Sequence, residues 1–155
     1  MDKIASFKVD HLKLKPGLYV SRKDYYNGVC VTTFDMRVTQ PNFEPVIDNA
    51  ALHTIEHLGA TYLRNCPIKD KVVYFGPMGC RTGFYILLFG ELNPQDIFGY
   101  IGDMCGFIAN FEGDIPGAEP KECGNFSEQN LNMAKYYIKR YYNDLKTNKR
   151  FTYPE

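Results

Sequence analysis

The chain of 155 residues contains no tryptophan, carries no net charge, and has no apolar run longer than the one from Phe84 to Phe89. Each of these deficits excludes something. With 18 Lys and Arg against 18 Asp and Glu, there is no basic excess to neutralise a phosphate backbone, which argues against a nucleic-acid binder. The longest apolar run is far too short to span a bilayer. The N-terminal MDKIASFKVDHLKLK mixes charges from its second residue, unlike a signal peptide. The five cysteines, Cys30, Cys66, Cys80, Cys105 and Cys123, are odd in number and irregularly spaced, so they do not form a secreted disulfide framework. A soluble protein of the reducing cytosol is therefore expected. No dinucleotide or phosphate-loop fingerprint is present, and no organic cofactor is expected. The length suits one domain over residues 1–155, large enough to bury a core without disulfides.

Periodicity predicts strands over 18–23 and 28–38, separated by a turn at Asp24 to Gly28. In the second strand Cys30, Phe34, Met36 and Val38 share one face, while Thr33, Asp35 and Arg37 share the other. A helix is predicted from Asp48 to Arg64, with Asp48 as its cap. Two further strands, 71–75 and 84–89, flank the turn Gly76-Pro77-Met78-Gly79-Cys80-Arg81-Thr82-Gly83. A second helix starts at Asn93-Pro94 and a third at Ser127, with a Gly/Pro-rich loop over 113–124 between them. Two strand pairs with short turns favour an α+β fold, an antiparallel sheet of about four strands packed with about three helices.

The chemistry-bearing pattern is His53-Thr54-Ile55-Glu56-His57. On a helix His53 and His57 lie one turn apart, so both imidazoles can reach one ion with Glu56 to its side. At about 100° per residue, Ala51, Ile55, Leu58 and Tyr62 occupy the opposite face, which leaves the histidines off the buried stripe. The competing reading is two histidines falling four apart on a solvated face. A third ligand of suitable type, Cys123, stands beside Gly124 in a polar loop, although a buried small hydrophobe is its ordinary role. A His₂Cys set leaves one coordination position open, as catalytic sites require. Cys80 sits in a turn held by Pro77, Gly79 and Gly83, where a neighbouring cation such as Arg81 or a metal favours a thiolate. A structural turn cysteine is the alternative. His11 and Arg37 are suited to an anionic or hydroxylated ligand, against the plainer readings of a surface histidine and a solvated strand arginine.

Taken in order, His53-Thr54-Ile55-Glu56-His57, Pro77-Met78-Gly79-Cys80-Arg81-Thr82-Gly83-Phe84 and Cys123-Gly124-Asn125-Phe126 closely resemble the S-ribosylhomocysteine lyase (LuxS) family. Ser6-Phe7 with Asp10-His11, and Thr33 to Arg37 followed by Gln40-Pro41-Asn42, match it as well, so the likeness runs from about residue 3 to 145. The resemblance implies a homodimeric α+β enzyme of the bacterial cytosol. Such an enzyme cleaves S-ribosylhomocysteine to homocysteine and 4,5-dihydroxy-2,3-pentanedione, the autoinducer-2 precursor. It further implies one divalent metal per subunit, Fe²⁺ with Zn²⁺ or Co²⁺ able to substitute, on His53, His57 and Cys123. Glu56 and Cys80 correspond to the acid/base pair. Ser6, His11 and Arg37 correspond to residues around the substrate, some of them supplied across the dimer interface. The chain departs from the family pattern at Tyr74-Phe75-Gly76, where an acidic residue and a serine are expected, and at Gln129, where a histidine is frequent.

Two other readings compete. His-x-x-Glu-His is also a metallopeptidase pattern with Glu56 as base, which needs a carboxylate third ligand from Glu119, Glu122 or Glu128. The other is a non-catalytic metal-binding dimer of the same fold.

Overall fold

A computed structural model of the chain describes residues 2–154 apart from the side chain of Ala5, so Met1 and Glu155, the ends of the expected domain, lie outside the described residues. The elements run α1 (Ala5–Lys8), β1 (Gly17–Tyr26), β2 (Val29–Arg37), α2 (Asn49–Leu63), β3 (Val72–Pro77), β4 (Gly83–Phe89), α3 (Pro94–Asn110) and α4 (Leu131–Asn148). The strands form a four-stranded antiparallel sheet in the order β1-β2-β4-β3, and the fold is α+β.

The alternation along β2 decides how the sheet packs. Phe34, Met36 and Val38 join Leu18, Phe84, Ile86 and Leu88 in one core with apolar residues of α2, α3 and α4. Burial of these residues supplies the main driving force for folding. The opposite face carries Tyr19, Asp35 and Tyr85 in one cross-strand row. Asp48 caps α2 by accepting from the Ala51 N–H at 2.9 Å, as its position before the apolar stripe predicts. Asp96 accepts from the Asn93 N–H at 2.7 Å and so closes the first turn of α3.

Three boundaries differ from expectation. The first hairpin is tighter, because Asn27 (φ 47°) and Gly28 (φ 78°) form a two-residue turn and leave Tyr25 and Tyr26 paired in β1. β3 continues to Pro77, since Gly76 and Pro77 still lie opposite Tyr85 and Phe84. The last helix begins at Leu131 and not at Ser127. Asn130 caps it by accepting from the Met133 N–H, and the residues before Asn130 are drawn out of helical geometry towards α2.

Candidate active site

α2 presents His53 and His57 on one side, both half-buried, with their Nε2 atoms 2.9 Å apart. The His53 Nδ1–H donates to the Glu128 carbonyl at 2.9 Å, and the His57 Nδ1–H donates to the Pro116 carbonyl at 2.7 Å. With Nδ1 protonated on each ring, both Nε2 lone pairs face the same point. Cys123 completes the group. Its Sγ lies 3.4 Å from His53 Nε2, and the three ligand atoms all fall within 4.8 Å of one another. The Asn125 backbone N–H points at that sulfur from 3.4 Å. Lone pairs converging without a shared proton repel each other, and a divalent cation between them converts the repulsion into bonding. The His₂Cys donors thus fit a metal on their own chemistry. Among the described residues no carboxylate joins the cluster, so Glu119, Glu122 and Glu128 do not provide the third ligand that the peptidase reading needs.

The loop that carries Cys123 is tied back to α2. Thr54, fully buried, donates from Oγ1 to Gln129 Oε1 at 2.7 Å and accepts from the Asn130 N–H at 2.9 Å. This tether had no sequence signal, since a threonine between two candidate ligands carries no pattern of its own. It explains the late start of α4, because Glu128, Gln129 and Asn130 bond to α2 instead of to a further helical turn.

A second cluster forms at the β3–β4 turn. The Thr82 carbonyl accepts from both Val38 and Thr39 N–H groups, at 2.9 and 3.0 Å, which pins the turn to the end of β2. Gly83 is required there, because a Cβ would lie 2.3 Å from the Met36 carbonyl oxygen. Cys80 is exposed, and its Sγ lies 3.1 Å from Thr82 Oγ1. The expected cation is not the one that meets it. Arg81 takes a left-handed conformation (φ 58°) and turns to Asn49, whereas Arg37 reaches Thr82 Oγ1 at 2.7 Å and Cys80 Sγ at 3.8 Å.

Arg37 also corrects the solvated-strand reading. It is only 4% exposed and pairs at 2.6 Å with Asp35, itself 2% exposed. The strand face turned from the core is therefore not a wet face. Burial opposes the Arg37 charge, and the Asp35 carboxylate outweighs that opposition, so the guanidinium is held charged.

Ser6 lines a cavity of about 330 Å³ with Arg22, Thr33, Tyr74 and Tyr85. Tyr74 belongs to the stretch Tyr74-Phe75-Gly76 that departs from the expected pattern, and its ring lies so close over Gly76 that a Cβ there would meet the phenol oxygen at 2.0 Å. His11, half-buried, donates from Nδ1 to the Val9 carbonyl at 2.8 Å. Glu56 is half-buried and makes no hydrogen bond or ion pair among the described residues. Within one chain, no hydrogen bond links the Cys80–Arg37 cluster to the His₂Cys cluster among the described residues.

An α+β scaffold with a convergent His₂Cys set and a thiol beside a buried guanidinium defines a candidate metal-centred enzyme. The family model for S-ribosylhomocysteinase (LuxS) matches residues 4–152, and the chain belongs to that family. The chain is 54% identical over 157 residues to the S-ribosylhomocysteine lyase of Finegoldia magna, covering all of both chains. It is 52% identical over 158 residues to the Clostridium beijerinckii protein of the same name, covering 99% of each. A third relative so named, from Borreliella burgdorferi, is 55% identical over 142 residues, covering 91% of this chain and 90% of its own. Among the described residues, no helix is long and apolar enough to cross a membrane.

Proposed function

We propose that the chain, acting as one catalytic domain over residues 1–155, cleaves S-ribosylhomocysteine to L-homocysteine and 4,5-dihydroxy-2,3-pentanedione, the autoinducer-2 precursor. The observation that carries this reading is the convergence of His53, His57 and Cys123 with both imidazoles held by backbone carbonyls. The names of the relatives support the substrate. One divalent metal per subunit, Fe²⁺ in our reading with Zn²⁺ or Co²⁺ able to replace it, supplies Lewis-acid polarisation of substrate oxygens when bound by these residues.

The rest is proton movement by the chain itself. A thioether on a carbon remote from a carbonyl does not cleave readily, so the carbonyl must first migrate along the ribose until the sulfur is β to it. Each migration takes a proton from a carbon beside the carbonyl and returns one at the next carbon. The Cys80 thiolate and the Glu56 carboxylate are the two carriers, suited to the task because each can accept a proton and give it back. In the last step a proton leaves the carbon α to the carbonyl and the β C–S bond breaks. The electron pair goes to sulfur, and a proton completes the homocysteine thiol. Arg37 holds the Cys80 sulfur, while Ser6 and His11 bind substrate hydroxyl and ionic groups.

We further propose a homodimer, with some of Ser6, His11 and Arg37 supplied across the interface. Tyr74 and Phe89, 49% and 45% exposed on the sheet face away from the long helices, supply apolar contact area for it. The reading places the enzyme in a reducing cytosol, because oxidation of Cys80 or Cys123 stops the reaction.

The test is anaerobic thiol release from S-ribosylhomocysteine by protein loaded with Fe²⁺ or Co²⁺. Turnover is expected, with chelators abolishing it and Cys80→Ala or Glu56→Gln nearly eliminating it. Loaded wild-type protein that releases no thiol overturns the reading. Tight metal binding that survives Cys123→Ala removes Cys123 as a ligand.

A further inference from the structure

The tail that follows α4 returns across the sheet and reaches the buried ion pair behind Cys80. Tyr153 donates from its hydroxyl to Asp35 Oδ2 at 2.9 Å. The same oxygen accepts from Arg37 at 2.6 Å, and the other terminal nitrogen of Arg37 reaches Cys80 Sγ at 3.8 Å. The Tyr153 ring is stacked on Tyr19 with centroids 4.7 Å apart and planes within 16°, and Tyr19 lies opposite Asp35 in the β1–β2 register. Asp35 Oδ1 and Arg37 Nε are buried without a partner. The carboxylate charge is therefore divided, at one oxygen, between a guanidinium and a phenol. Residue 153 stands one position beyond the stretch that the family model matches.

We propose that Tyr153 is a positioning residue for the Cys80 thiolate. By donating to Asp35 it takes up part of the carboxylate charge, which leaves more of the Arg37 positive charge for the sulfur. Burial, followed by the Asp35 carboxylate, pushes the Tyr153 hydroxyl well above the ordinary tyrosine range and keeps it a donor. The other titratable groups around the pair are Tyr19 of β1, Tyr85 of β4 with Arg22 beside it, Tyr141 of α4, and Arg150 ahead of the tail. Tyr19 is committed to the Lys15 carbonyl at 2.9 Å, and Arg150 to the Pro16 carbonyl and Asp144. Tyr141 donates to the Gly17 carbonyl at 3.1 Å and Arg22 pairs with Asp24 at 2.7 Å, so neither takes the place of Tyr153 as the donor to Asp35. The inference rests on the reading of Cys80 as a proton carrier.

The test uses the full metal-loaded chain and follows alkylation of Cys80 by iodoacetamide against pH, resolved from the other cysteines by peptide mass spectrometry. Tyr153→Phe keeps the stacked ring and loses only the donor. Its alkylation midpoint is expected to move up by about half to one pH unit, so that Cys80 reacts about three- to ten-fold more slowly below the midpoint. In an Asp35→Asn background, removing the same hydroxyl is expected to produce no further shift. An unchanged midpoint in Tyr153→Phe, or an undiminished shift in the Asp35→Asn background, overturns the proposal. Full thiol release by Cys80→Ala would instead overturn the proton-carrier reading and leave the alkylation shift in place, so the two failures are distinguishable.

Discussion

Thr54 shows how a single residue between two candidate ligands organises a site. Its hydroxyl is donor to Gln129 and acceptor from the Asn130 N–H, so one atom fastens the Cys123 loop to α2. Thr54→Val keeps the shape and removes both bonds, leaving a half-buried amide N–H and a half-buried carboxamide oxygen unpaired. A stability loss of about 1–3 kcal/mol is expected, together with metal affinity weaker by about 10-fold or more. Urea unfolding of the apoprotein and competition with a chromogenic chelator measure the two effects separately. At this same scale the three residues that converge were readable as candidates, His53 and His57 by type and spacing and Cys123 by its type in a polar loop. The partner of Cys80 was not. Arg81 is adjacent in sequence, but its left-handed backbone aims it at Asn49, and it is Arg37, forty-three positions away, that reaches the sulfur.

At the scale of elements, the predictions concern how α2 is seated. Gly59 faces β3 so closely that a Cβ would lie 2.3 Å from the Phe75 ring, which is itself stacked on Phe84. Gly59→Ala must displace one of the two, and a cost of about 1–3 kcal/mol is expected. Asp48→Ala removes the cap at the other end of the helix and is expected to cost about 1 kcal/mol. Equilibrium denaturation checks both, and because the sites do not touch, the double variant should be close to additive. Most elements were legible from periodicity and caps: α2 begins one residue after the predicted Asp48 cap, and α3 begins at the predicted Asn93-Pro94. α4 was misplaced because Ser127 looks like a local cap, whereas the bonds that decide its start come from α2.

For the molecule as a whole, buried tyrosines set an alkaline limit. Burial pushes Tyr19 up to about 12 and raises Tyr141 and Tyr153 as well. In the unfolded chain these phenols ionise near pH 10. Above that pH the unfolded state has lost protons that the native state still holds, so stability falls as pH rises. Stability from these groups is fully present below pH 10 and is lost progressively from about pH 10 towards 12. The urea midpoint should drop over that range, and the share of phenolate absorbance that comes from Tyr19, Tyr141 and Tyr153 should appear in step with unfolding. A constant midpoint from pH 9 to 11.5 would contradict it.

The α+β class, the two hairpins, the long helices and the type and order of the candidate metal-ligating residues were all contained in the chain itself. They depend on periodicity and on local caps and turns, which act within a few residues. The strand order β1-β2-β4-β3, the pairing of Arg37 with Asp35 and Cys80, the Thr54 tether and the reach of Tyr153 across the sheet were decided only by tertiary packing. Apart from the Arg37–Asp35 pair, whose members are neighbours along β2 and whose burial only the fold decides, each of these joins groups from different elements or the two sides of a turn. Burial selects such partners, since a charge or hydroxyl taken out of water must find its bond wherever the fold brings a complementary group.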